Sequence, residues 1–270
     1  MKKIFIISLC CIFAISINAA RVDSVYVQSK SMNIKVKTLV IVPENSLFDT
    51  APRRPVIYLL HGYDGNERQW LKIKQNLPQI ADEKGIIFVL PDGKNSWYFN
   101  SPVDKSSKYE TFIASELIAC IDSTYKTVND RTGRAITGFS MGGHGALYNA
   151  FRHKDVFGAA GSMSGAVAIS SRGNNYGLVK LLGDINEHPE NWKNNSVISQ
   201  VQHIKDGDLE IIIDCGKDDF CFPLNESLHD ALNKNGISHD YTVRAGKHDY
   251  IYWKSAIDYH ILFFLKYFSK

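Results

Sequence analysis

The chain is short of cysteine, of net charge and of long hydrophobic runs, and each shortage closes a route. Of its five cysteines, Cys10 and Cys11 fall within the first twenty residues, leaving Cys120, Cys215 and Cys221. Three thiols cannot make a fully paired disulfide framework, so stability must come from an apolar core. We read them as free and mostly buried, with a Cys215–Cys221 bridge as the alternative because the pair flanks a candidate loop. The formal charge is only +3, and Lys2 and Lys3 supply two of those charges. So small a charge gives no reason to expect a nucleic-acid partner or a basic membrane face. Beyond the N-terminal segment no apolar run approaches the roughly 20 residues of a membrane span. Internal repeats and low-complexity segments are also lacking. What is there is ordinary: 270 residues, 44% hydrophobic and 22% charged, which argues for a globular protein and against disorder.

The first twenty residues contain no Asp or Glu. Lys2 and Lys3, an apolar stretch over 4–17 and the small residues Ala19 and Ala20 read as a signal peptide over 1–20, cleaved before Arg21. The protein is therefore expected to be secreted or periplasmic. A membrane anchor would need a longer run. A lipoprotein signal would need its cysteine later than Cys10 and Cys11, with small residues before it. Residues 21–270 then suit one α/β domain, large enough to bury about three quarters of its unfolded surface.

Periodicity gives an N-terminal pair of antiparallel strands near 25–27 and 32–42. Short apolar runs at 55–60, 86–90, 134–137, 157–163, 209–214 and 241–244 follow, with amphipathic stretches at 67–84, 109–125, 142–152, 224–235 and 250–268. Apolar strands alternating with helices predict a mostly parallel sheet covered on both faces. Ligands of such sheets bind at the C-terminal ends of the strands. Residues 166–208 break the alternation, being polar and weakly periodic, and read as an insertion over that edge.

Gly138-Phe139-Ser140-Met141-Gly142 follows one of these strands and opens a helix rich in small residues. That is the context of a nucleophile elbow, in which a strained turn exposes a serine hydroxyl at a helix N-terminus. A serine hydroxyl needs a base. Elbows of this form are followed in chain order by an acid and then a histidine. Of nine histidines, His248 fits that order, in a loop between the last strand and the last helix, whereas His260 falls inside that helix. The acid must follow the penultimate strand, where Asp214, Asp218 and Asp219 stand. Asp214 is read as serving the loop backbone, and the residues alone do not choose between Asp218 and Asp219. Two backbone donors are needed for the oxyanion: the N–H of Met141, and that of Tyr63 in His61-Gly62-Tyr63-Asp64-Gly65. Trp97, Tyr98 and Trp253 are candidates for an apolar substrate pocket.

These pieces, together with Leu59-Leu60-His61-Gly62, Pro91-Asp92-Gly93, Ser96-Trp97-Tyr98, Asp214-Cys215-Gly216 and Gly246-Lys247-His248-Asp249, resemble the esterase D branch of the α/β-hydrolase fold. That branch includes S-formylglutathione hydrolases, mycolyltransferases and family-one carbohydrate esterases. Within it the chain resembles secreted bacterial esterases of the feruloyl, acetyl-xylan and tributyrin type. The resemblance implies that the acid is Asp219, three residues after Gly216. It also implies a carboxylesterase acting through Ser140, Asp219 and His248 without metal or cofactor, on a small ester or an esterified polysaccharide. An S-formylglutathione hydrolase-like thioesterase or an acyltransferase is the alternative, and an inactive binding protein on the same fold is a second. Lys247 stands where members often carry a second glycine.

Overall fold

The computed structural model describes residues 20–46 and 50–270, so the expected leader lies outside the described residues except for Ala20. Strands β1 (Arg21–Ser29) and β2 (Ile34–Val42) form an antiparallel hairpin. Then come β3 (Val56–Leu60), helices α1 (Gln69–Ile73) and α2 (Leu77–Lys84), and β4 (Ile87–Pro91). Helix α3 (Tyr109–Thr111) runs through a π-helical stretch, Phe112–Leu117, into α4 (Ile118–Thr124). β5 (Arg134–Gly138), α5 (Met141–Arg152) and β6 (Ala159–Met163) follow. After three short helices, α6 (Leu178–Leu182), α7 (Pro189–Asn194) and α8 (Val197–Gln200), the chain closes with β7 (Glu210–Gly216), α9 (Phe222–Lys234), β8 (Asp240–Arg244) and α10 (Tyr250–Phe268).

The strands form one sheet in the order β1-β2-β4-β3-β5-β6-β7-β8. β1 and β2 are antiparallel to their neighbours, and β3 to β8 are parallel. Alternate residues of a strand face opposite sides of a sheet. Accordingly Val56, Tyr58 and Leu60 enter one apolar cluster with Phe112, Leu147 and Leu228, while Ile57 and Leu59 enter a second with Trp70, Leu77, Ile257 and Phe264. Burial on both faces is why β3, β4 and β5 read as unbroken apolar runs.

One expectation is corrected. The helix expected over 67–84 is two helices. Pro78 at the start of α2 lacks an N–H to continue a preceding helix, and Lys74 leaves α1 to pair with Asp258 of α10 at 2.7 Å. The stretch 166–208, read from the sequence as an insertion over the sheet edge, carries α6, α7 and α8 and sends Leu178, Trp192 and Val197 into the first cluster. Among the described residues no helix is long and apolar enough to cross a membrane.

Candidate active site

Ser140 sits between β5 and α5 at φ +56°, ψ −119°, a region that side chains rarely occupy. The surroundings hold it there. Its N–H donates to the Met163 carbonyl at 3.0 Å, and its carbonyl accepts from the His144 and Ala166 amides. The flanking glycines are forced by close approach. A Cβ on Gly142 would lie 2.3 Å from the Leu60 carbonyl oxygen, and one on Gly138 would lie 2.5 Å from the Gly142 backbone. The elbow can therefore press against β3 only with glycine at both places.

His248 follows β8 and precedes α10, whose N-terminus is capped by Asp249 accepting from the Tyr252 amide at 2.9 Å. Its Nε2 lies 2.9 Å from Ser140 Oγ, and its Nδ1 lies 2.9 Å from each carboxylate oxygen of Asp219. Asp219 also accepts from the Cys221 amide at 2.7 Å. Burial alone would lift its carboxyl, but the hydrogen bonds from His248 and Cys221 outweigh that and hold it below the ordinary carboxylate value. Asp218 is exposed. Backbone pairing brings the two loops together: the Lys217 amide donates to the Arg244 carbonyl at 2.8 Å, and the Asp218 amide to the Gly246 carbonyl at 2.9 Å. Of the two neighbouring aspartates, Asp219 is the one whose side chain meets His248.

Asp214 does something other than serve its loop. Its buried carboxylate accepts from the Tyr252 hydroxyl and pairs with Arg244 at 2.7 Å, tying β7 to β8 and to the start of α10. Burial raises its carboxyl even against those two partners.

In the loop after β3, the Gly62 amide donates to Gln69 Oε1, the Asp64 amide to Asn95 Oδ1 and the Gly65 amide to the Gly62 carbonyl. Among the described residues no acceptor takes the Tyr63 amide, and none takes that of Met141. Both residues line the cavity that holds Ser140 and His248. His61 fixes this loop: its Nδ1 donates to the Gly62 carbonyl, and its Nε2 accepts from the Gly93 amide, each at 2.8 Å.

The cavity measures about 390 Å³ and is mostly apolar. Trp97 and Trp253 line it. Trp253 stacks on Phe139 at 4.2 Å and meets the His248 ring edge-on at 4.9 Å. Tyr98 does not line the cavity, which corrects the expectation. Trp97 and Tyr98 both take positive φ, and the turn sends Tyr98 into the core, where its hydroxyl donates to the His61 carbonyl at 3.1 Å. Tyr98 supports the loop bearing the Tyr63 amide from behind. Wall residues missed in the sequence are Phe139, Arg172, Tyr176, Phe220 and Tyr250. Arg172 and Tyr176 come from the polar stretch that the broken alternation had marked.

Cys120, Cys215 and Cys221 are all free. The Cys221 sulfur lies within 4.8 Å of ligand atoms of Asp219 and His248, a spacing compatible with a metal. In this structure the His248–Asp219 hydrogen bond occupies two of the three groups, and burial pushes the Cys221 thiol up to about 12.

A strand-elbow-helix serine and a histidine in one cavity, with a buried aspartate behind the histidine, is the arrangement of serine hydrolases. The Esterase family's sequence pattern matches residues 29–264. The chain belongs to the Esterase family. This esterase is 29% identical over 213 residues to an acetyl esterase of Caldicellulosiruptor saccharolyticus, covering 74% of the chain and 79% of that protein. It is 25% identical over 215 residues to an endo-1,4-beta-xylanase/feruloyl esterase of Xylanibacter ruminicola, covering 76% of the chain but only 26% of that longer protein. Among solved structures a ferulic acid esterase superposes with a TM-score of 0.79 at 29% identity, over 92% of this chain and 98% of that one. The esterase therefore has the α/β-hydrolase fold and is a carboxylic ester hydrolase.

Proposed function

We propose that this esterase is exported and removes short acyl or feruloyl groups from polysaccharides, with Ser140 as nucleophile, His248 as base and acid, and Asp219 behind the histidine. The continuous line Ser140 Oγ–His248 Nε2 and His248 Nδ1–Asp219, with 2.9 Å at each step, carries the reading. The tautomer follows from it. Asp219 accepts a hydrogen bond from Nδ1–H and so holds the proton on that nitrogen, which leaves Nε2 unprotonated and able to remove the Ser140 proton as its oxygen attacks the ester carbonyl. The developing oxyanion is met by the free amides of Tyr63 and Met141 at the N-terminus of α5. His248 then protonates the leaving alkoxide, and the acyl group stays on Ser140. Water, deprotonated by His248, releases the acid and restores the serine. Asp219 remains ionised throughout and stabilises the imidazolium.

The aromatic walls from Trp97, Tyr176 and Phe220 suit an aryl or short acyl group, and the cavity volume is in the range of small-molecule sites. The names of the acetyl esterase and feruloyl esterase relatives support a polysaccharide ester. The leader-like first twenty residues support export. A panel of p-nitrophenyl acetate, methyl ferulate, acetylated xylan and S-formylglutathione tests the substrate, with Ser140→Ala as control. Full activity in that variant refutes the mechanism. A preference for S-formylglutathione refutes the polysaccharide reading, and ester products from added alcohol mark an acyltransferase. Intact mass of the exported protein, expected to begin at Arg21, tests the leader.

A further inference from the structure

We propose that Arg172 is a subsite for a carboxylate carried by the substrate, so that the preferred ester is anionic. The proposal rests on reading Ser140 as the nucleophile of the same cavity. Arg172 ends a short 3-10 helix, Ile169–Arg172, within the stretch that interrupts the strand-helix alternation. Its side chain lines the catalytic cavity. Among the described residues every other arginine has an oxygen acceptor within reach, whether carboxylate, amide, hydroxyl or carbonyl. Arg172 has none. Its Nε is buried without a partner, and Nη2 reaches only the Cys221 sulfur at 3.7 Å, a weak acceptor. Among the described residues no Asp or Glu lines the cavity to neutralise it.

A guanidinium with unfilled donors beside a water-excluding wall is a poor structural element and a good ligand group. Its planar fork matches a carboxylate in two parallel hydrogen bonds. The setting also fixes its orientation: its central carbon lies 5.1 Å from the Phe220 ring centre, and Phe220 in turn packs 4.2 Å from the His248 ring. One aromatic ring therefore separates the cation from the catalytic base. A bound carboxylate would sit several bonds from the scissile carbonyl, on either the acyl group or the alcohol.

Two matched pairs of esters test this and locate the charge. Monophenyl adipate against phenyl hexanoate places a carboxylate on the acyl side, and 4-acetoxybenzoate against phenyl acetate places it on the leaving group. The wild type is expected to favour the anionic member of one pair after correction for intrinsic reactivity. In Arg172→Gln the anionic-to-neutral ratio of kcat/KM should fall on the order of tenfold, chiefly through KM, the lower end for a charged hydrogen bond. Arg172→Lys should keep part of the ratio, and added salt should raise KM for the anionic member in the wild type only. An unchanged ratio in Arg172→Gln overturns the proposal. So does loss of the ratio in the glutamine variant without partial recovery in the lysine variant, which marks a packing role over Phe220. A wild type inactive on both neutral esters would instead defeat the catalytic reading.

Discussion

Replacing the two neighbouring aspartates one at a time is the sharpest test of the site. In Asp219→Asn the side chain keeps its size, but one oxygen becomes an NH₂ donor. Asp219 accepts hydrogen bonds from His248 Nδ1–H at 2.9 Å and from the Cys221 amide at 2.7 Å. An asparagine can satisfy the Cys221 amide with its single oxygen, but its NH₂ then faces Nδ1. The imidazole responds by moving its proton to Nε2, where it points at Ser140 Oγ and cannot accept from it. The base is lost with the fold intact. In serine proteases the same change lowers kcat by about 10⁴, or roughly 5 kcal/mol at about 1.36 kcal/mol per decade. We expect a fall of that order in kcat on p-nitrophenyl acetate. Asp218 is exposed and contributes only backbone contacts to this corner, so Asp218→Asn should change kcat by less than about threefold. Steady-state kinetics of both variants, with near-UV circular dichroism to confirm folding, decide it. A larger loss in Asp218→Asn, or a loss within tenfold in Asp219→Asn, would refute the reasoning.

Ser140→Ala should lower kcat on the order of 10⁶ and leave stability within about 0.5 kcal/mol by thermal melting, because alanine keeps the Cβ and the strained backbone and loses only the hydroxyl contact to His248. Gly142→Ala should destabilise by about 3 kcal/mol, the upper end for overpacking, since its Cβ meets the Leu60 carbonyl at 2.3 Å; a urea midpoint within 0.5 M of the wild type would count against it. Burial lowers the His144 imidazole to about 4 and the His260 imidazole to about 3, against about 6.5 in the unfolded chain. Protons therefore bind the unfolded state first. Their contribution is intact above pH 6.5 and is lost as pH falls from 6.5 toward 4, by about 1.4 kcal/mol per pH unit for each histidine. Urea unfolding at pH 7.5, 6 and 5 reads this, and a flat profile between pH 6.5 and 5 would contradict it.

Much of the fold was legible because its signals are local. Val56–Leu60 and Ile87–Pro91 are apolar on every residue, which only a sheet covered on both faces demands. The break at Pro78 was missed although its missing N–H is a local property of that residue, and the pull of Asp258 on Lys74 is not local at all. Tyr98 shows the limit. An aromatic residue beside a conspicuous motif looks the same in sequence whether it lines a cavity or braces a loop. Only the two positive-φ residues of the turn send it to the His61 carbonyl. Arg172 shows the converse: the broken alternation marked its segment, but nothing local marks an arginine that lacks an acceptor.

By itself the sequence determined the elbow, the order of serine, acid and histidine, and the layered sheet, because periodicity, glycine spacing and chain order act through the backbone near each residue. The tertiary structure decided which aspartate faces His248, which tryptophans reach the cavity and which amides are left free. Those outcomes depend on contacts such as Ser140 with His248, 108 residues apart, and His248 with Asp219, 29 apart. Such contacts are set by how β7 and β8 pair and by how closely their loops approach, and no residue carries that information alone.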